Sequence, residues 1–220
     1  MRFERISDGV YSVGGRLATR NLKPGRKVYG EELVKYKEEE YRMWNPYRSK
    51  LAAAIIKGMQ NIEMKAGSKV LYLGAATGTT ASHVSDIIGR SGMLFGVEIS
   101  ERNMREFVKL CETRENMLPL LADASHPETY SESVGKCDVI YQDVAVKSQA
   151  GIMLKNSPML KKGGYAYFVI KSQSVDVSRD PQDVFREELG KLEGEFEVLE
   201  RIDIEPYDSL HMFAVLRKVH

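Results

Sequence analysis

Cysteine is scarce in this chain: its 220 residues hold two, Cys111 and Cys137, and no Cys-x-x-Cys pair. A disulfide framework has nothing to build on, and both residues, set in apolar contexts, read as free buried thiols. Histidine is also scarce. His83, His126, His211 and His220 are too scattered to read as a metal site. No apolar run approaches the length of a membrane span. The opening MRFERISDGVYSVGG lacks the apolar centre of a signal peptide, so a cytoplasmic location is expected. There is no internal repeat and no low-complexity tract. There is no Gly-Lys-Ser/Thr of a P-loop, and the glycines do not fit a dinucleotide fingerprint. Charge of one sign is not in excess either, since 32 Lys and Arg stand against 31 Asp and Glu. That balance does not announce a nucleic-acid binder, and no aromatic-rich RNA-binding sheet motif offers a place to stack bases.

What charge there is lies unevenly. Residues 1–50 hold 12 Lys and Arg against 7 Asp and Glu, and the remainder holds 20 against 24. A polyanion is therefore expected to prefer the N-terminal part. Val10–Val13 and Arg16–Thr19 flank the turn Gly14-Gly15, which predicts small antiparallel hairpins. Residues 31–48 are charged and aromatic, with a break at Asn45-Pro46. A helix is predicted over Lys50–Met59, with Leu51, Ile55 and Ile56 on one face.

From there strands and helices alternate. Strands are predicted at Val70–Leu73, Leu94–Ile99, Met117–Leu121, Cys137–Gln142 and Tyr165–Ile170. Helices are predicted at Thr80–Ile88, Glu101–Thr113, near Pro127–Val134, at Gln149–Leu160 and at Pro181–Leu192. Two final strands, Phe196–Ile204 and His211–Arg217, flank a turn at Pro206-Tyr-Asp-Ser. Strict alternation argues for a mostly parallel sheet covered on both faces. Seven strands ending in a hairpin form the pattern of class I S-adenosylmethionine-dependent methyltransferases, a Rossmann-like α/β fold. The expected organisation is a small β-rich N-terminal domain over 1–48 and a methyltransferase domain over 49–220.

In such sheets a ligand lies outside the C-terminal strand ends. After the first strand comes Gly74-Ala75-Ala-Thr-Gly78-Thr79-Thr80, a turn that lets backbone approach a ligand and whose helix start can hold a carboxylate. After the second come Glu98 and Ile99. Glu98 stands 24 residues past Gly74, near the roughly 20 expected for an acid on ribose hydroxyls. After the third come Asp123 and Ala124, suited to an adenine amino group. After the fourth come Asp143, Val144, Ala145 and Val146, where the cofactor's reactive end should lie. Each signal alone is weak, but four in register are hard to assign to chance.

The block YLGAATGTTASHVSDIIG resembles the fibrillarin family. RSKLAAAI before it and DVIYQDVA, FVIKSQSVD and IEPYDSLH after it extend the resemblance over essentially the whole chain. It is closest to the short archaeal form, which lacks a Gly/Arg-rich tail. Tyr72 and Ala76 break the general methyltransferase pattern and match this family. The resemblance implies S-adenosylmethionine as cofactor and RNA-guided 2′-O-methylation of ribose in rRNA and tRNA. It implies a box C/D ribonucleoprotein with a guide RNA, a Nop-type scaffold protein and a kink-turn-binding protein. It also implies a Lys-Asp-Lys-His catalytic set, carried here by Lys50, Asp143, Lys171 and His211. Lys171 would act as base or oxyanion stabiliser, Asp143 would orient it, Lys50 would hold the substrate, and His211 would complete the network. Two departures stand out. Leu210 replaces the acid that usually precedes the histidine, and Val146 replaces a glutamine. A methyltransferase with a protein or small-molecule acceptor, or an idle scaffold subunit, are the alternative readings.

Overall fold

The computed structural model describes residues 2–220. Its first strands, β1 (Phe3–Ser7), β2 (Val10–Val13) and β3 (Arg16–Arg20), form the antiparallel hairpins expected around Gly14-Gly15. The charged stretch that follows also folds as a hairpin, β4 (Leu33–Tyr36) and β5 (Glu39–Met43). Its pattern was hard to read because Arg42 takes a fully buried position between Tyr41 and Met43. The five strands make one sheet in the order β1-β2-β3-β5-β4.

Helix α1 (Lys50–Ile56) starts where Ser49 caps it, its hydroxyl accepting from the Ala52 N–H at 3.3 Å. It stops at Lys57-Gly58, short of the predicted Met59. Then follow β6 (Lys69–Leu73), α2 (Thr79–Ile88), β7 (Met93–Glu98), α3 (Glu101–Cys111), β8 (Met117–Leu121), α4 (Ser131–Val134) and β9 (Cys137–Gln142). The chain continues through α5 (Gln149–Asn156), β10 (Leu160–Lys171), α6 (Ser172–Val175), α7 (Pro181–Gly190), β11 (Phe196–Asp203) and β12 (His211–Lys218). Among the boundaries that differ from expectation are those of α5 and β10. Helix α5 ends at Asn156, because Pro158 cannot continue it, and β10 begins at Leu160 rather than Tyr165. A bulge separates Leu160 from Tyr165 in the pairing with β9.

The second sheet has the order β11-β12-β10-β9-β6-β7-β8, with β12 antiparallel to both its neighbours. Strand order reverses between β6 and β9, so their C-terminal ends splay apart and leave a crevice. Two cores cover the faces. One holds α1 and α2 residues together with Val10, Leu17 and Trp44 of the N-terminal region. The other lies under α5 and α7.

The N-terminal sheet meets α2 through buried charges. Arg42 donates to Glu31 at 2.6 Å, to Asp86 at 2.8 Å and to the Ser82 hydroxyl at 2.9 Å. Arg114 reaches the other Asp86 oxygen at 2.7 Å. The Thr19 hydroxyl spends its one proton on Asp86, so His83, 2.8 Å away, must donate from Nδ1. Its Nε2 then accepts from the Tyr29 hydroxyl at 2.7 Å. Burial, then the nearby Arg42 and Arg114 charges, push His83 well below the usual histidine range, and it stays neutral. Both cysteines are unpaired, and burial raises each thiol to about 12, which leaves them inert. Among the described residues no helix is long and apolar enough to cross a membrane, and no cluster has metal-ligand geometry.

Candidate active site

Leu73 is the last paired residue of β6, and Gly74 turns the chain at φ +84°. A Cβ there would lie 2.7 Å from the Asp143 carbonyl oxygen, so only glycine lets this turn press against the end of β9. Two residues on, Ala76 sits at φ +49°, an uncommon conformation for a side-chain-bearing residue. Its N–H donates to Glu98 Oε2 at 2.8 Å, while Glu98 Oε1 accepts from the Ser100 N–H at 2.8 Å. The carboxylate at the end of β7 is thereby fixed in direction, buried, and still has lone pairs to offer.

These turns wall a cleft of about 510 Å³. Gly74, Glu98, Ile99, Asp123, Ala124, Asp143, Val144, Ala145, Val146 and Lys171 all line it. Ile99 is 66% exposed, an apolar platform beside the acid that would hold a ribose. The Asp123 carboxyl is held below its usual range, first by the Ser125 N–H at 2.8 Å, so it is an acceptor at neutral pH. Ser125, Ser148, Gly151 and Lys155 line the cleft as well and were not expected. They sit past the strand ends, on loops and on α5, where sequence carries no periodic signal.

Four expected cofactor residues lie elsewhere. Ala75 is buried in the core. Gly78 is the left-handed cap of α2, where a Cβ would meet Leu110 at 2.5 Å and Phe107 at 2.8 Å. The Thr80 hydroxyl donates to Ser49 Oγ at 3.0 Å, which ties α2 to the cap of α1. Thr79 lines a second cavity of about 440 Å³, together with Lys23, Arg26, Lys27 and Arg48.

The four expected catalytic residues come together in one polar cluster. Lys171 ends β10 and pairs across the ladder with His211 at the start of β12. Its Nζ lies 2.7 Å from Asp143 Oδ1, with its hydrogen bond directed at the Asp143 carbonyl, 3.0 Å away. Lys50, at the head of α1, donates to Asp143 Oδ2 at 3.2 Å. Burial lowers the Lys50 pKa, but Asp143 and Asp208 outweigh that and leave it raised, so Lys50 is a fixed cation. His211 Nδ1 lies 2.7 Å from Asp208 Oδ1, and Asp208 Oδ2 lies 3.4 Å from Lys50. Asp208 was missed in the sequence, where it read only as part of a turn.

Gln149 is the second omission. Fully buried at the start of α5, its amide bonds both backbone groups of Lys171, accepting from the N–H at 2.9 Å and donating to the carbonyl at 3.0 Å. It also donates to the Val146 carbonyl at 3.1 Å, so one side chain joins the β9 loop to the base of Lys171. The arrangement sets a cation pair and a carboxylate at the mouth of a nucleoside-sized cleft, which suits transfer to a weak oxygen nucleophile.

A family model described as Fibrillarin matches residues 2–219. The fibrillarin-like rRNA/tRNA 2′-O-methyltransferase of Thermococcus sibiricus is 54% identical over 216 residues, covering 96% of each chain. A crystal structure of Aeropyrum pernix fibrillarin in complex with natively bound S-adenosyl-L-methionine is 42% identical. It superposes with a TM-score of 0.90 over 98% of each chain. A crystal structure of a fibrillarin/Nop5p complex has a chain 36% identical, with a TM-score of 0.90 over 98% of this chain and 100% of that one. The seven-stranded α/β architecture expected from the sequence is the one these structures share.

Proposed function

Because this chain belongs to the fibrillarin family, we propose that it methylates ribose 2′-hydroxyls of rRNA and tRNA, using S-adenosylmethionine. One observation carries the reading: Lys50 and Lys171 both converge on Asp143, within hydrogen-bonding reach of it, beside the Glu98 cleft. The donor set fits the cofactor. Glu98 would take the ribose hydroxyls and Asp123 the adenine amino group. Once bound, the cofactor supplies an electrophilic methyl group.

The chain's own residues would do the rest. Lys171 would hold the 2′-oxygen in line and, as an amine, take its proton or, as an ammonium, counter the negative charge on the oxygen while the proton passes to water, as the methyl carbon–sulfur bond breaks and leaves a neutral thioether. Asp143 fixes that lysine, Lys50 anchors the ribose or its phosphate, and His211 closes the far side. Alignment of oxygen, carbon and sulfur is itself worth several kcal/mol. The basic cavity of Lys23, Arg26, Lys27 and Arg48, whose Arg48 stands two positions before Lys50 in the chain, would give the flanking phosphates a path. With net charge +1, the protein leaves selection of the target to its partners. Those partners are a box C/D guide RNA, a Nop-type scaffold and a kink-turn-binding protein. Within the chain, residues 1–48 form the small accessory domain and 49–220 the catalytic one.

Methyl-labelled cofactor added to the assembled particle with target RNA tests this. Label in RNA at guide-selected 2′-oxygens is expected. Label in protein, or no label, would favour a protein acceptor or an idle scaffold. Site-specific methylation by the purified chain alone would overturn the division of labour. In the free chain, Glu98→Ala should weaken cofactor binding about 10- to 100-fold, the worth of hydrogen bonds to a charged group, as read by calorimetry.

A further inference from the structure

One carboxylate of the catalytic cluster has no part in the scheme so far. Asp208 sits in the turn between β11 and β12, three residues before His211. One of its oxygens lies 3.4 Å from Lys50 Nζ and the other 2.7 Å from His211 Nδ1. A single side chain therefore touches the lysine at the head of α1 and the imidazole at the head of β12. Leu210, adjacent to His211, has no polar side-chain atom to offer.

The backbone around Asp208 is built to present it. The N–H groups of Tyr207 and Asp208 turn back on the Ile204 carbonyl at 2.9 and 3.4 Å. Leu210 adopts φ +62°, a left-handed conformation costly for a leucine. That kink aims its carbonyl at Ser172, which bonds it twice, through N–H at 3.2 Å and through Oγ at 2.9 Å. Ser172 follows Lys171 directly. The turn that carries Asp208 and His211 is thus fastened to the strand end that carries Lys171. Backbone strain held in place by such bonds is a feature of sites where position matters more than stability. The Asp208 side chain is 31% exposed, and an ion pair at that exposure contributes little to folding.

We propose that Asp208 is the positioning residue of this centre, orienting the His211 ring through Nδ1 and holding Lys50 against Asp143. The proposal rests on the fibrillarin reading of the site. A carboxylate 2.7 Å from Nδ1, once the ring turns into line with it, favours the tautomer protonated there and leaves Nε2 with a lone pair. The same carboxylate gives Lys50 a second anchor, so its ammonium is held between two acids and cannot swing out to solvent.

Two measurements test it, each on wild type, Asp208→Asn and Asp208→Glu. Nitrogen-15 NMR of the His211 ring in the free protein should show the Nδ1–H tautomer in wild type and its loss in Asp208→Asn. Single-turnover transfer by the assembled particle should slow about 10- to 100-fold in Asp208→Asn, the usual worth of a group that orients a functional histidine. Target-RNA KM and cofactor affinity should stay within about two-fold, because the lost contact acts on the reacting centre rather than on binding. Asp208→Glu should recover most of the rate, and it guards against a folding failure of the Asn variant. Unchanged His211 signals in Asp208→Asn, or a transfer rate near wild type, would overturn the proposal. A wild-type particle that transfers nothing to RNA would sink the methyltransferase reading instead, and the NMR comparison would still decide the contact.

Discussion

Two charged networks, one including Asp86 of α2 and the other Lys50 of α1, are built in opposite ways. The junction network of Glu31, Arg42, Asp86 and Arg114 has side chains 0 to 2% exposed. Its acids and bases balance two against two, and hydroxyls of Thr19 and Ser82 take up the remaining capacity. The network proposed as catalytic, Lys50, Asp143, Lys171, Asp208 and His211, has side chains 14 to 31% exposed. Several of its contacts are close without being aligned. Asp143 Oδ1 and His211 Nδ1 each have a charged neighbour at 2.7 Å and no hydrogen bond. A satisfied buried network has one arrangement and resists change. A part-exposed network with spare capacity can accept a substrate hydroxyl and move a proton. The contrast separates charge that holds the protein together from charge that does chemistry.

The contrast breaks most visibly at Lys171. Lys171→Ala should slow methyl transfer by about 10²- to 10³-fold or more, the range for loss of one preorganised electrostatic group. Asp143→Ala should be as severe and should also weaken cofactor binding, since Asp143 lines the cleft. Unfolding in urea should show both variants near wild-type stability. The reverse is expected at the junction. Arg42→Met leaves Glu31 short of its partner and Asp86 with one cation, which costs about 3–5 kcal/mol when a buried pair is broken. Its transfer rate per folded molecule should stay close to wild type. If Arg42→Met lowered the rate and spared stability, the division would be wrong.

A pH titration sharpens the comparison. Buried His83 stays neutral when folded, whereas in the unfolded chain it takes a proton below about pH 6.5. The unfolded state then binds more protons, so stability is fully present above that pH and falls as pH drops through it. A His83→Gln variant should lose that slope. The smallest effect is expected in the basic cavity. Arg26→Glu with Lys27→Glu should raise the target-RNA KM and lessen its salt dependence, because phosphate contacts contribute in proportion to their number. The maximal rate should be unchanged, and a lowered rate at saturating RNA would assign those residues to the centre itself.

Much of this was legible in the sequence, for an identifiable reason. In an open α/β sheet the site residues follow strand ends, and strands in a buried sheet are near-continuous apolar runs. Glu98, Asp123, Asp143 and Lys171 each stand at the end of such a run, and all four line the cleft. Lys50 and His211 needed the family resemblance, since a helix-start lysine and a strand-edge histidine look ordinary. Asp208 and Gln149 escaped because their roles depend on where a turn and a helix start fall in space. The β4–β5 hairpin escaped because Arg42 breaks the apolar alternation for the sake of Asp86, which lies 44 positions away. Thr79 and Thr80 were expected in the cleft because they follow Gly78, but the first helical turn rotates their side chains toward other neighbours.

The bulge in β10 bears on how the gene can change. Between Leu160 and Tyr165 the chain advances five residues while its β9 partners advance from Cys137 to Val139. Pairing with β12 begins only at Tyr165. The segment Lys161–Gly164 is therefore the bulged part of the strand, paired residue for residue on neither side, though Lys161 still reaches Asp138. Downstream of it, Tyr165–Phe168 pair with both β9 and β12 and Val169–Lys171 pair with β12, and a shift of one residue would turn Lys171 to the opposite face. Insertions and deletions in this strand should accordingly be tolerated in those four residues and nowhere else along it. A coding sequence that changes in length there can do so without moving Lys171, the residue proposed to act on the 2′-oxygen.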